Sequence, residues 1–488
     1  MAGLVEVPDV SDAIPPARAQ VGGRLAGLRT TPGRLRAGVA LVVLLACALG
    51  LLTGMVFAAL DSGFTAIGDH DAPLVEQSNA LYYAVSDMDA QVGNVLLTGS
   101  DPALAADQQR DLALYSSDQQ DAEQDLQQVA VTAAADPAAQ RAVSSVLDAL
   151  GRYEALAADA IVVNQRGNDP AGRPSVATLS YFQRATDLMS ATVLPAAASL
   201  TTANASALDT SYNRDRSTAA SGQVLVLVLG LAVAGALLGT QVFLAARFRR
   251  LVNPALAVAT MLVLGLAIAG AVQLGTQAGN LKVAKQDAFD SILALTQARA
   301  VSYDANADET RFLVDPSRAA EYQDAFLRKS QELVNVGNVG IFSYDAALAA
   351  DVDAYRANHA DVRFGGYLGT EFRNITFPGE RAAATRALLA YQVYEKYDRK
   401  LRAMAKTNLA QAIVFDIGTN PGQSDWAFNR WDGALGSVIA INENAFTAAI
   451  RDSHTTGSPW IALIPAMATA LIAALSIAGT HRRLAEYR

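Results

Sequence analysis

Four stretches of roughly 20 residues without a charged side chain constrain this sequence more than anything else in it: Val39 to Leu60, Val224 to Ala246, Ala255 to Leu274 and Trp460 to Gly479. At the helical rise, each reaches about 30 Å, the thickness of a bilayer's hydrocarbon core. Runs this long have no polar face to offer water. They predict four membrane crossings, at residues 38–60, 222–246, 254–275 and 459–480. Composition agrees: of 488 residues, 51% are hydrophobic and only 17% charged. The first run is longer than the apolar part of a signal peptide, and no small-residue cleavage pattern clearly ends it. An uncleaved signal anchor is the expectation.

Arginines set the orientation. Arg18, Arg24, Arg29, Arg34 and Arg36 precede the first run, Arg247, Arg249 and Arg250 fill the link at 247–253, and Arg482, Arg483 and Arg488 follow the fourth. The positive-inside rule places all three groups in the cytoplasm, in a segment 1–37, the link, and a tail 481–488. Residues 61–221 and 276–458 are then expected outside, in a multi-pass plasma-membrane protein with cytoplasmic termini. No run carries an ionisable residue at mid-depth, where ion relays and substrate paths usually show themselves. Small residues recur instead: Ala46, Gly50 and Gly54; Gly235 and Gly239; Ala466, Ala470, Ala474 and Ala478. Such stripes let helices pack closely, although an alanine-rich composition accounts for part of the pattern.

Each outer segment is long enough for four helices of about 35 residues. Leu81, Val85, Met88, Val92 and Val95 mark a bundle seam, and Phe289, Leu293, Thr296, Ala300, Tyr303, Ala307 and Thr310 repeat it. Val85-Ser86, Leu96-Leu97 and Asp101-Pro102 recur as Val301-Ser302, Phe312-Leu313 and Asp315-Pro316 at nearly the same offsets. An internal duplication explains this economically. The expected fold is all-α, with four transmembrane helices and two tandem extracytoplasmic domains resembling four-helix bundles.

The first outer segment carries 21 acidic against 8 basic residues, and the second 22 against 19. A solvated acidic face is the ordinary explanation; a surface for a basic partner is the sharper one. The net charge of −9 offers no basic patch for nucleic acid. One cysteine, Cys47, rules out an intramolecular disulfide, and four scattered histidines, His70 and His359 among them, suggest no zinc site. No nucleophile–base set or phosphate loop can be drawn, so neither an enzyme nor a bound cofactor is expected.

Two corners break the helical pattern. One runs from Asn164-Gln165-Arg166-Gly167 through Asp169-Pro170 and Gly172-Arg173-Pro174 to Tyr181-Phe182; the other runs from Gly365-Gly366 to Asn374-Ile375-Thr376-Phe377-Pro378-Gly379-Glu380-Arg381. In the second, Thr376 is placed to cap a helix, Pro378 to sit in its first turn and Glu380 to face the positive end of its dipole. Such a corner needs no ligand. The functional alternative makes Asn164, Arg166, Asn374, Thr376, Glu380 and Arg381 a surface read by a partner or ligand, because loops on rigid elements carry binding.

The Asn-x-Arg-Gly corner, followed by Leu188-Met189 and Leu194-Pro195-Ala196-Ala197, resembles the first external domain of the actinobacterial GlnX-type membrane proteins. The run Asn374 to Arg381 resembles their second-domain signature, and the layout fits essentially the whole chain. An Asn168–Arg173 insertion departs from that pattern. The resemblance implies relay of amino-acid availability from a periplasmic glutamine-binding-type lipoprotein to a cytoplasmic serine/threonine kinase of the protein kinase G type. Each half also resembles a chemoreceptor's four-helix-bundle sensor. The inner segments are too short to build a core, so a kinase or adaptor would have to dock on them, with Arg247, Arg249 and Arg250 as the docking candidates. Membrane lipid is a further partner, and a homo-oligomer is compatible with this layout. The function expected is a non-enzymatic transmembrane signal transducer. The alternative is a scaffold subunit of a transport or secretion complex.

Overall fold

The computed structural model describes residues 31–132, 137–248, 253–456 and 460–485. Among these residues the protein is all-α, and its one strand-like feature is an isolated antiparallel bridge between Asn335 and Gly365. Four helices are long and apolar enough to cross a membrane. The described chain divides into two compact units.

The first unit gathers the apolar runs, within Met1–Leu60, Ser217–Gln277 and Thr456–Arg488. They lie on α1 (Thr31–Ala66), α6 (Leu194–Phe248), α7 (Pro254–Lys282) and α15 (Trp460–Ala485). Large apolar side chains such as Leu44, Leu51, Val242, Met261 and Met467 are exposed, which suits hydrocarbon surroundings. Few polar groups join these helices. Gln223 donates to the Ala271 carbonyl at 3.1 Å, Gln241 to Thr260 Oγ1 at 3.0 Å, and Asn253 to the Gly479 carbonyl at 2.7 Å. The small-residue stripes are only partly used for packing. Ala46 is buried and Gly50 lies against Thr469, but Gly54, Gly235 and Gly239 have no neighbour to approach. Ala466, Ala470, Ala474 and Ala478 face outward, because α15 packs through Pro465, Ile472, Ser476 and Thr480.

The second unit comprises Asp61–Arg216 and Ala278–Thr455. In the first segment, a π-helical turn at Ile67–Asp71 leads into α2 (Ala72–Thr98), then α3 (Ala105–Thr132), α4 (Pro137–Gly167), α5 (Val176–Leu188) and the start of α6. In the second, a π-helical turn at Val283–Phe289 leads into α8 (Asp290–Val314) and α9 (Ala319–Leu333). It continues through the shorter α10 (Ile341–Ala357), α11 (Gly366–Asn374), α12 (Glu380–Ala405) and α13 (Leu409–Asp416) to α14 (Ser424–Thr456). The beginnings match closely. Both α2 and α8 are followed by an aspartate, Asp101 or Asp315, whose carboxylate accepts the backbone N–H two residues on and so caps a short 3-10 turn opened by proline.

Every residue of the first seam is buried, and most of the second are. They mark the centre of the unit. From Ala84 to Thr98, α2 is enclosed on all sides, and α8 is nearly so from Ala298 to Val314. The two helices run parallel and touch along their length: Asn79 donates to Thr296 at 2.9 Å, the Tyr83 and Tyr303 rings meet edge to face at 4.3 Å, and Thr310 donates to Asn94 at 3.0 Å. The expectation of two tandem bundles is not confirmed. The core around Leu81, Val92, Tyr153 and Phe182 is completed by Leu313, Ile413, Phe415 and Ile417 from the second segment. Each segment leaves apolar surface that the other buries, so together they form a single compact unit.

Gly93 permits the close approach of α2 to α8, since a Cβ there would lie 2.5 Å from Thr310 Cγ2. Replacement Gly93→Val is therefore expected to cost about 1–3 kcal/mol through overpacking. Gly151→Ala, at a position with open space around it, should preserve or raise stability. Unfolding of the detergent-solubilised protein, followed by circular dichroism, checks the pair.

Candidate functional site

A buried guanidinium sits where the two segments meet. Arg311 on α8 is 2% exposed and fully committed. Its Nε and Nη2 donate to Asp89 Oδ2 on α2 at 2.9 and 2.6 Å, and its Nη1 donates to Asp304 Oδ1 at 3.3 Å and Asp308 Oδ1 at 2.5 Å. The helical repeat makes this local geometry natural, because residues 304, 308 and 311 share one face of α8. From α9, Lys329 Nζ reaches Asp304 Oδ2 at 2.8 Å, Asp308 Oδ2 at 2.6 Å and the Asp304 carbonyl at 3.0 Å. Burial opposes ionisation of Asp304, but Lys329 and Arg311 outweigh it and hold the carboxyl below its ordinary range.

This cluster forms part of the wall of a cavity of about 310 Å³, within the size of small-molecule sites. The first segment contributes Tyr82, Thr186, Ser190 and Leu194, and the second contributes Asp304, Asp308, Arg311, Arg318, Arg328 and Lys329. At the rim, Arg318 pairs with Glu321 at 2.6 Å and with Asp187 of the first segment at 2.7 Å, and stacks on Tyr322. Among the described residues, no three His, Cys, Asp or Glu side chains are grouped to share a metal ion.

None of the six corner residues singled out in the sequence lines this cavity. Asn164 is buried in the last turn of α4, and its carbonyl accepts Asp169 N–H at 3.3 Å; Arg166 is exposed on the same turn. The organiser of this corner is Asp169, which accepts from Ser175 N–H and Thr178 Oγ1, both at 2.7 Å. The insertion there is fastened to the end of α2, with Gly172 N–H donating to the Leu97 carbonyl at 2.9 Å.

The second corner also satisfies its own groups. Asn374 Nδ2 donates to the Gln286 and Asp287 carbonyls and to Ser291 Oγ, at 3.0, 3.2 and 2.9 Å, bracing the π-helical turn. Thr376 does not cap α12; its hydroxyl donates to the Asn374 carbonyl at 2.8 Å. The helix begins at Glu380 behind Gly379, whose φ of 85° puts it in the left-handed region, so Pro378 lies just before the first turn and not in it. Glu380 is buried and reaches back to the N–H groups of Thr376 and Phe377 at 2.7 and 2.8 Å. Arg381 Nη1 donates to Tyr355 OH at 3.3 Å. Of the link arginines, Arg247 lies in the last turn of α6 with its side chain outside the described residues, and Arg249 and Arg250 lie outside them altogether.

One comparison with known proteins bears on the first wall of the cavity. Residues 63–213 match the family model of the actinobacterial sensor domain. This sensor-domain segment includes Tyr82, Asp89 and Thr186 and ends before the second segment begins. The match supports a sensing role, and with four candidate spans it suggests a membrane-bound sensor. Comparison with the curated proteins gave no match, and neither did comparison with solved structures.

A second charged centre lies elsewhere in the same unit. Arg402 is buried between the rings of Phe312 and Phe326, its centre 4.7 and 4.9 Å from theirs, and pairs with Asp398 at 2.7 Å. Burial, and then Asp398, push both Glu395 and Asp416 up to about 8.

Both centres should register in stability. Asp89→Ala would leave Arg311 Nε and Nη2 buried without their acceptor and is expected to cost about 1–3 kcal/mol in denaturant unfolding. The raised acids predict a pH slope of definite sign. Their contribution to stability is complete below the ordinary values of 4.5 and 3.8 and is lost as pH rises toward about 8. Melting temperature should therefore fall between about pH 5 and pH 8, and Glu395→Gln should flatten that fall.

Proposed function

We propose that the chain is a non-enzymatic transmembrane signal transducer of the GlnX type. Its helical unit, placed outside the cytoplasm, senses amino-acid availability through a solute-binding lipoprotein and biases a cytoplasmic serine/threonine kinase. The match of residues 63–213 to an actinobacterial sensor domain supports sensing over scaffolding, because a scaffold has no need of such a segment. One observation carries the reading furthest: the sensor-domain segment is closed by the second segment through a buried ion network lining a cavity. Binding energy spent at such a junction can favour one arrangement of the two segments over another. Coupling of about 1–3 kcal/mol is enough for regulation. Helices such as α6, continuous from Leu194 to Phe248, offer a path toward the arginine link.

The test uses full-length protein in lipid nanodiscs with candidate solute-binding lipoproteins and a protein kinase G-type kinase. The expected result is lipoprotein binding that changes with amino-acid loading, together with a change in kinase activity. Replacing Arg247, Arg249 and Arg250 together by glutamine should abolish the kinase response and leave lipoprotein binding intact. No interaction with any lipoprotein, loaded or free, would defeat the proposal.

A further inference from the structure

A different cavity, of about 350 Å³, opens among α2, α3, α8 and α14. Glu76 from α2, Asp121 and Asp125 from α3 and Glu443 from α14 all line it, and among the described residues none of the four is in an ion pair. Arg299, on the same wall, is already engaged: its Nε and Nη2 donate to Asp432 at 2.6 and 2.8 Å. The acids fall into two pairs. Burial, and then Glu443, push Glu76 up to about 7; burial, and then Asp121, push Asp125 up to about 6. No cation draws either back down.

An amide on the cavity wall also lacks a donor. Asn79, one turn on from Glu76 along α2, lines the cavity and is 5% exposed. Its Nδ2 donates to Thr296 Oγ1 at 2.9 Å, and that hydroxyl donates in turn to the Ile292 carbonyl at 2.8 Å, which fixes the amide. Its Oδ1 accepts no hydrogen bond among the described residues. A buried acceptor left unmet is unfavourable, and an N–H donor placed in the cavity would relieve it.

We propose that this cavity binds a small aliphatic diamine, with one ammonium at Glu76 and Glu443 and the other at Asp121 and Asp125. An ammonium has three N–H donors, which two carboxylates and the Asn79 oxygen together satisfy. Ala80, Ala84 and Ile439 give the methylene chain apolar surface. A monoamine would leave one acid pair unmet. Among the described residues no three acids are grouped to share a metal ion, so an extended organic cation fits where a compact one does not. The site goes beyond the lipoprotein relay and stands without it. It joins the sensor-domain segment, through Glu76, Asp121 and Asp125, to the second segment, through Glu443.

Calorimetric titration of the full-length protein in phosphatidylcholine nanodiscs tests the proposal, with putrescine, cadaverine and spermidine as probes and butylamine and calcium as controls. The expected result is saturable binding of at least one of the three, with butylamine about tenfold or more weaker and calcium unable to displace it. Glu443→Gln and Asp125→Asn each remove a charge that repels its neighbour, so both variants should fold, and each should weaken binding about tenfold. Glu123→Gln, on the same helix as Asp125 but outside the cavity, should leave it unchanged. Absence of saturable binding by all three probes, equally tight butylamine, displacement by calcium, unchanged affinity in E443Q or D125N, or an equal loss in E123Q would overturn it.

Discussion

A guanidinium removed from water has to be met on every side, and the pairing of Arg311 with Asp89 is the contact from which the rest of the helical unit follows. The two residues are 222 positions apart, one in each segment, and are 2% and 0% exposed. Separating them would leave Asp89 without its cation and Arg311 Nε and Nη2 without an acceptor inside the fold, a costly loss. Around that pair, α2 and α8 lie parallel and share tyrosine and amide contacts, and the remaining helices cover them. Three first-segment acids meet three second-segment cations: Asp89 with Arg311, Asp187 with Arg318 and Asp209 with Lys285. The acidic excess of the first segment is thus partly internal complementarity, in addition to a solvated face.

The same network borders an open space. Part of it lines a cavity to which both segments contribute, and one of its oxygens, Asp89 Oδ1, is buried without a hydrogen-bond partner. The sensor-domain match covers only one side of this space, and the second segment supplies the other.

The sequence revealed what periodicity can carry. Four charge-free runs marked the candidate spans, and the 4-3 spacing of Leu81, Val85, Met88, Val92 and Val95 found the central helix correctly. Periodicity says which face is buried, but not against what. Nothing local in Leu313 or Ile413 shows that they finish a core begun more than 200 residues earlier, so periodicity alone does not tell one joined unit from two bundles. The corner at Asn374 and Glu380 drew attention because its composition is unusual; its groups prove to be occupied in bracing a π-helical turn and closing their own loop. The clue to the cavity was present in Asp304, Asp308 and Arg311. A helix with a buried seam that also carries charges three and four residues apart must satisfy them inside the fold. Arg328 and Lys329 carried no such signal, since adjacent basic residues on an amphipathic helix read as solvent-facing.

Native-state hydrogen exchange on the intact protein tests most directly whether the two segments form one cooperative unit around Arg311. Core amides of α2 and α8 should open with the same free energy, and Trp431→Leu, placed wholly in the second segment's core, should lower both together. Loss of protection in α8 while α2 kept its own would contradict this: the segments would then be independent domains, and the Arg311–Asp89 pair would not be what joins them.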